Sequence, residues 1–270
     1  MLIVIATPVG NLGDMTPRAV EALRSVDVIA CEDTRRTRVL LDHFSIARPA
    51  DFISYRQGNE ERTGARLLAW LQQGRTVALC SDGGYPGISD PGYRLVALAV
   101  EHGVAIDVLP GASAVPLALI HSGLPTSSYT FKGYPPRRPG PRRRFFDAER
   151  EQPHTLVVFE SPMRVPSTLR AAYEALGDRK ACVCMELTKL HQRAERGYLG
   201  QLVAAFENRR VRGEVTIVIA GSNPKMTRAS NGDDPTGNKG SEDNEDQGWD
   251  GEDGECDASE APEPKDEYSL

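Results

Sequence analysis

Thr76-Val77-Ala78-Leu79-Cys80-Ser81-Asp82-Gly83-Gly84-Tyr85-Pro86-Gly87-Ile88-Ser89-Asp90-Pro91-Gly92 decides how the rest of the chain is read. The first five residues are an apolar run of the kind that fills a parallel strand buried on both faces. From Tyr93 to His102 the apolar residues Leu95, Val96, Leu98, Ala99 and Val100 follow a helical pattern. Between strand and helix, Ser81–Gly92 holds four glycines and two prolines, so its backbone can take a fixed shape and approach a ligand closely. A strand, a Gly/Pro/Asp loop and a helix in succession place that loop at the carboxyl edge of a sheet, where open α/β sheets bind their ligands.

The same unit recurs upstream and downstream. Leu2–Ala6 reads as a first strand, followed by the loop Thr7-Pro8-Val9-Gly10-Asn11-Leu12-Gly13-Asp14 and a helix that Thr16 caps and Pro17 opens. Asp27–Cys31 is a second strand, a helix with Val39, Leu40, Leu41 and Phe44 follows, and Phe52–Ser54 is a short third strand. A helix over Asn59–Gln73 leads to the fourth strand. Val104–Leu109 is the fifth and runs into Pro110-Gly111-Ala112-Ser113-Ala114. Alternation of this kind predicts a doubly wound parallel sheet whose Gly/Pro loops after Ala6, Cys80 and Leu109 face one crevice.

Residues 123–128 read as a joint to a second α/β unit. Its predicted strands are Tyr129–Lys132, Thr155–Phe159, Lys180–Met185 and Val215–Ala220. A helix capped by Ser161 and opened by Pro162 runs to about Leu176, and another spans Gly200–Glu207. The arginine- and proline-rich segment Tyr134–Arg144 reads as a loop. The expected fold class is therefore α/β: an N-terminal domain 1–122 with a parallel sheet, a C-terminal domain 123–222 with a mixed sheet, a ligand cleft between them, and an acidic tail 223–270.

Charge divides the chain the same way. The net charge of −6 conceals a tail from Asn231 with 15 acids and two bases, and a basic remainder of 23 acids and 30 bases. The tail's composition predicts disorder. No apolar run approaches the roughly 20 residues that span a bilayer, and Met1–Ala6 reads as a strand rather than a signal peptide. Cys31, Cys80, Cys182 and Cys184 lie in or beside apolar runs without zinc spacing. Buried reduced thiols in a cytoplasmic protein are expected, and no metal.

The glycine loops do not carry a phosphate signature. Neither G-x-x-x-x-G-K-[ST] nor G-x-G-x-x-G is present, and Ser81–Gly92 holds Asp82 and Asp90 but no basic residue, which disfavours a pyrophosphate. A ligand with a positive centre, hydroxyls and an apolar ring suits it better, and S-adenosylmethionine is such a ligand.

Seven segments stand in an order that resembles one family. They are Thr7–Asp14, Glu32-Asp33-Thr34-Arg35, Ser81–Gly92, Pro110-Gly111-x-Ser113-Ala114, Glu160-Ser161-Pro162-x-Arg164, Glu186-Leu187-Thr188-Lys189 and Arg212-Gly213-Glu214. Over about residues 1–222 the chain resembles the ribosomal RNA small subunit methyltransferase I branch of the tetrapyrrole-methylase-like superfamily. The resemblance implies a cytoplasmic homodimer that uses S-adenosylmethionine to methylate the ribose 2′-hydroxyl of cytidine 1402 (usual rRNA numbering) in 16S rRNA of the small ribosomal subunit. It implies cofactor contacts at Pro8, Gly10, Asp82, Gly83, Ile88, Ser89, Pro110, Gly111, Ser113 and Glu214. Two departures stand in the central loop: Gly83 where the family has Ala, and Tyr85 where it has Thr. The family's histidines before Asn59-Glu60 are also missing.

Between Lys132 and Arg150 there are seven basic residues and two acids. Arg137, Arg138, Arg142, Arg143 and Arg144, interleaved with Tyr134, Phe145 and Phe146, suit RNA phosphates and stacked bases, and Arg35 and Arg36 extend the patch. The alternative for each group is a solvated basic turn or helix start. Methyl transfer to a ribose hydroxyl needs an in-line approach and removal of a proton. Lys189 and Glu186 are the candidate catalytic residues, against the alternative of an ion pair that only supports the fold. His121 reads as a packed histidine. Two rival functions stay compatible with the sequence: methylation of a tetrapyrrole (corrinoid) precursor, and a non-catalytic RNA-binding module.

Overall fold

The structure is a computed structural model that describes residues 1–228. The first sheet consists of β1 (Leu2–Ile5), β2 (Val28–Cys31), β3 (Asp51–Ser54), β4 (Val77–Cys80) and β5 (Ile106–Leu109). All pairings are parallel and the order is β3-β2-β4-β1-β5. Helices α1 (Pro17–Ser25), α2 (Thr34–His43), α3 (Glu60–Gln72) and α4 (Gly92–Glu101) connect the strands. Side chains alternate along each strand, so Ile3 and Ile5 pack with Ala19, Leu23 and Leu41 of α1 and α2, while Leu2 and Val4 pack with Leu67, Leu95 and Ala99 of α3 and α4. The parallel, doubly wound reading holds, and the Thr16 cap is present: its hydroxyl accepts from Ala19 N.

α5 (Ala114–Ser122) leads into the second sheet, made of β6 (Tyr129–Phe131), β7 (Thr155–Glu160), β8 (Asp178–Met185), β9 (Arg193–Tyr198), β10 (Val215–Ile219) and β11 (Thr227–Arg228). Its order is β11-β8-β10-β7-β6 with β9 also on β8, and only β6 and β7 are parallel. α6 (Pro139–Asp147), α7 (Val165–Leu176) and α8 (Leu199–Phe206) cover one face through Phe146, Leu169, Leu202 and Phe206. The other face is covered by α5. Val115, Ala118 and Leu119 pack on Val157, Cys182, Cys184 and Val218, so a helix grouped by sequence with residues 1–122 belongs by packing to the second sheet.

Four local expectations are corrected. The arginine-rich segment is a loop only as far as Arg138. Pro139 then opens α6, where a missing N–H costs nothing, and the arginines that follow are good helix formers. Ser161 does not cap with its side chain. A 3₁₀ turn, Pro162–Arg164, precedes α7. β9 is an additional, charged edge strand whose sequence lacks an apolar run. Beyond residue 222, where composition puts the start of the tail, Pro224–Met226 form a 3₁₀ turn and β11 pairs with β8. The rest of the tail lies outside the described residues.

Cys31, Cys80, Cys182 and Cys184 are buried free thiols, and burial pushes Cys31 up to about 11. Among the described residues no helix is long and apolar enough to cross a membrane. Leu169 is fully buried between α7 and the second sheet. Leu169→Ala should therefore cost about 2–5 kcal/mol, seen as a lower urea midpoint with an unchanged slope.

Candidate functional site: a cleft between the two sheets

Because β4, β1 and β5 are neighbours, with Cys80 beside Ile5 and Ile5 beside Leu109, the three Gly/Pro loops leave the sheet side by side. They are stitched together. Thr7 and Gly84 exchange backbone hydrogen bonds of 3.0 and 2.9 Å, the Thr7 hydroxyl donates to the Ser81 carbonyl, and the Ser81 hydroxyl donates to the Gly84 carbonyl. Gly84 has φ +81°, a conformation open to glycine. Within the loop, the Asp90 carboxylate accepts from Gly87 N and Gly92 N. Tyr85 supplies the third tie: the Gly111 N–H donates to its hydroxyl at 3.0 Å. The bulky residue that departs from the family pattern thus fixes the β4 loop to the β5 loop. The other departure is sterically open, since a Cβ on Gly83 would meet only ordinary contacts with Pro8 and Val9.

Above these loops lies a cleft of about 360 Å³. The first half supplies Val9, Glu32, Arg36, the Ser81–Tyr85 backbone, Ile88, Ser89 and Asp90. The other wall is Ser113, Ala114, Tyr134, Phe159–Pro162, Leu187 and Gly213–Thr216. A smaller depression of about 210 Å³ shares Val9, Arg36, Ser81 and Asp82 with the cleft and adds Pro8, Gly10, Val39 and Lys189.

The cleft is rich in carboxylates. Burial, reinforced by Asp82 and Asp90, holds Glu32 above the usual glutamate range. Burial raises the Tyr134 hydroxyl too, with Glu214, Glu160 and Glu32 acting in the same direction. Asp82 accepts from Asp33 N at 3.0 Å and pairs with Arg36 at 3.3 Å, which fixes the β2 and β4 loops against each other. Glu160 is buried and spoken for. It accepts from Ser161 N and the Thr168 hydroxyl and pairs with Arg164, whose guanidinium reaches the Pro135 and Pro136 carbonyls. This carboxylate organises the wall that carries Tyr134 and Ser161.

Lys189 lies between two acids, 2.8 Å from Glu186 and 3.2 Å from Glu214. Partial burial opposes its charge, but the Glu186 hydrogen bond and the Glu214 charge outweigh it and raise the ammonium above the ordinary lysine range. Glu186 is correspondingly lowered: burial works against its charge, and the hydrogen bond from Lys189 prevails. The turn that builds this triad is strained, with Glu186 at φ +52° and Thr188 at φ +64°. It presses on the first half of the chain, where a Cβ on Gly10 would lie 2.3 Å from Lys189 Cγ and 2.9 Å from the Leu187 carbonyl oxygen.

Of the expected cofactor contacts, Asp82, Gly83, Ile88, Ser89, Ser113 and Glu214 line the cleft, and Pro8 and Gly10 line the adjoining depression. Pro110 and Gly111 line neither, although Tyr85 ties Gly111 to the cleft floor. Lys189 meets the depression, whereas Glu186 lines neither and is paired with Lys189. Among the arginines, Arg137, Arg138, Arg143 and Arg144 are exposed. Arg142 is not: it is buried, with Nη1 donating to the Ser167 hydroxyl, so it lies beneath the exposed patch that the other arginines form. Arg35 is exposed but chelated by Asp33, whose carboxyl it pulls down to about 2. Sequence reasoning assigns no cleft role to Glu32, Tyr134 or Phe159. The signal for Glu32 and Phe159 is their place at the end of a strand, directly after β2 and next to the last residue of β7.

A profile described as tetrapyrrole (corrin/porphyrin) methylases matches residues 1–203. With the identities below, that match places the chain in the tetrapyrrole methylase family, in the group of proteins that carry the name ribosomal RNA small subunit methyltransferase I. The protein so named from Halalkalibacterium halodurans is 43% identical over 225 residues, 83% of this chain and 77% of that one. The one from Thermotoga maritima is 42% identical over 220 residues, 82% and 98% of the two chains. That from Micromonospora olivasterospora is 45% identical over 222 residues, 82% and 70%. Among solved structures, a cobalt precorrin-4 methyltransferase superposes with TM-score 0.62 at 18% identity, covering 81% of this chain and 94% of that one. A diphthine synthase superposes with TM-score 0.64 at 16% identity, covering 81% and 89%. At these identities the two structures establish the shared fold.

Two outcomes follow for the cleft. Glu32 binds its proton more tightly folded than unfolded, so its contribution to stability is present in acid and is lost as pH rises from the ordinary glutamate range through the raised value. Glu32→Gln should accordingly be more stable than wild type at neutral pH, with the difference vanishing toward about pH 4 in paired urea titrations. Tyr85→Phe removes the acceptor of Gly111 N–H and should cost about 0.5–1.5 kcal/mol by the same measurement.

Proposed function

We propose that this chain is an S-adenosylmethionine-dependent methyltransferase of small-subunit ribosomal RNA, and that it methylates the ribose 2′-hydroxyl of cytidine 1402 in 16S rRNA in the cytoplasm. The observation that carries the reading is 42–45% identity to proteins of that name over 220–225 residues, 82–83% of the chain. The residues present fit the donor. A cleft of about 360 Å³ falls within the roughly 300–1,000 Å³ usual for small-ligand sites. Glu32, Asp82 and Asp90 suit a cationic sulfur, and Val9, Ile88 and Leu187 offer apolar surface to an aromatic ring. When bound, S-adenosylmethionine supplies the electrophilic methyl group.

The chain's own residues hold and orient the two reactants, and the hydroxyl proton released on transfer passes to solvent. The Ser81–Ser89 loop and Ser113 hold the donor, with Gly83 allowing close backbone approach. Lys189, kept protonated by Glu186 and Glu214, is a hydrogen-bond donor rather than a base, and it orients the ribose from the adjoining depression. Exposed Arg137, Arg138 and Arg144, with Tyr134 at the cleft mouth, offer charge and a stacking surface to RNA.

The test is transfer of labelled methyl from S-adenosylmethionine to unmodified small subunits, naked 16S rRNA or a corrinoid precursor, followed by mapping of the label. Label on the ribose of cytidine 1402 is expected. Label on the corrinoid alone, or on none of the three, overturns the reading. Lys189→Met should lower turnover at least tenfold while S-adenosylmethionine affinity changes less than twofold; unchanged turnover removes Lys189 from the mechanism.

A further inference from the structure

A second depression, of about 510 Å³, lies on the outer seam between α6 and α7. It is lined by Pro139, Gly140, Arg142 and Arg143 of α6 and by Pro166, Ser167, Arg170 and Glu174 of α7, among others. Three guanidiniums and one carboxylate therefore meet there. Arg142 is the unusual member. Its side chain is nine-tenths buried, its Nη1 donates to Ser167, and its Nε is buried without a hydrogen-bond partner. Among the described residues no carboxylate pairs with it, although its neighbours Arg143 and Arg170 each have one, Asp147 and Glu207. A buried charge is ordinarily matched by a counter-ion, because leaving water is costly when nothing replaces the lost solvation. Arg142 is buried, unpaired with any acid among the described residues, and lines the depression.

From this we infer that the α6–α7 depression is a phosphate-binding site, and that its occupant is a backbone phosphate of the substrate RNA. Arg142 supplies a fixed buried charge, while Arg143 and Arg170 close on the anion from the rim. Both rim arginines are more than half exposed and their present partners are surface acids, so a phosphate can exchange with those partners at small cost. Along the chain, one turn separates the cleft wall from the start of α7. Pro162 lines the cleft, Arg164 ties the intervening turn to the Pro135 and Pro136 carbonyls, and Pro166, one helical turn on, lines the depression. The identity of the occupant rests on the RNA reading above; the anion site itself does not.

The test uses the full chain and leaves Arg142 in place, because removing it would disturb the packing of α6 on α7. Affinity for unmodified 16S rRNA is measured across a range of salt for wild type, for an Arg143→Gln/Arg170→Gln double variant and for Glu174→Gln. If the double variant no longer holds one RNA phosphate, its slope of log affinity against log salt should fall by about 0.7–0.9, while S-adenosylmethionine affinity stays the same. Glu174→Gln should tighten RNA binding. An unchanged slope in the double variant together with unchanged affinity in Glu174→Gln overturns the site. Inorganic phosphate at constant ionic strength is the control for a free anion: if it stabilises wild type but not the double variant while the RNA slopes coincide, the RNA assignment is wrong. A changed slope without methyl transfer to rRNA leaves this site standing and removes the proposed function. Methyl transfer with an unchanged slope keeps the proposed function and removes RNA as the occupant of this site.

Discussion

The two backbone hydrogen bonds between Thr7 and Gly84 are what make the sheet edge a site. Parallel strands bring their following loops to one edge, but nothing in the sheet itself holds those loops in register with each other. The Thr7–Gly84 bridge does so, backed by the Ser81 and Thr7 hydroxyls on buried carbonyls, and Tyr85 extends the fastening to Gly111. The loops after β1, β4 and β5 are thereby held as one floor beneath the cleft. The positive φ of Gly84 is the conformational condition for the whole arrangement.

Much of this is legible from residue order. The five parallel strands, the convergence of the loops after β1, β4 and β5, and the mixed second sheet follow from alternation of apolar runs with Gly/Pro punctuation. What escapes is governed by contacts distant in sequence. α5 is apolar on nearly all sides, so its pattern gives no indication of which sheet receives it. β9 carries Arg193, Glu195 and Arg196 on an edge, where charge protects against further pairing but hides the strand. α6 opens with two prolines and three arginines, and the same composition serves a loop or a helix start. In sequence the arginine cluster reads as one surface patch, yet a helix sends its residues to different faces, and Arg142 goes inside.

The site is legible in its loops and less so in its electrostatics. Six of the ten expected contacts fall on the cleft because the loops that carry them are strand ends. Lys189 and Glu186 are recognisable as a polar pair, but only the fold supplies Glu214 as the second acid, whose charge adds to the Glu186 hydrogen bond in holding Lys189 protonated. The molecule thereby separates two chemistries. Acids gather in the cleft, where a cation is suited, and arginines gather along α6 and its loop, where polyanions are suited.

Gly10 and Lys189 belong to opposite halves of the chain, yet the lysine stem occupies the space a Cβ at position 10 would need. A side chain larger than hydrogen at position 10 is compatible with this cleft only if the stem at 189 moves aside or shortens, and moving it aside releases Glu186 and Glu214. The dependence runs one way: a change at position 10 demands a rearranged turn at 187–189, whereas a shorter side chain at 189 leaves Gly10 undisturbed.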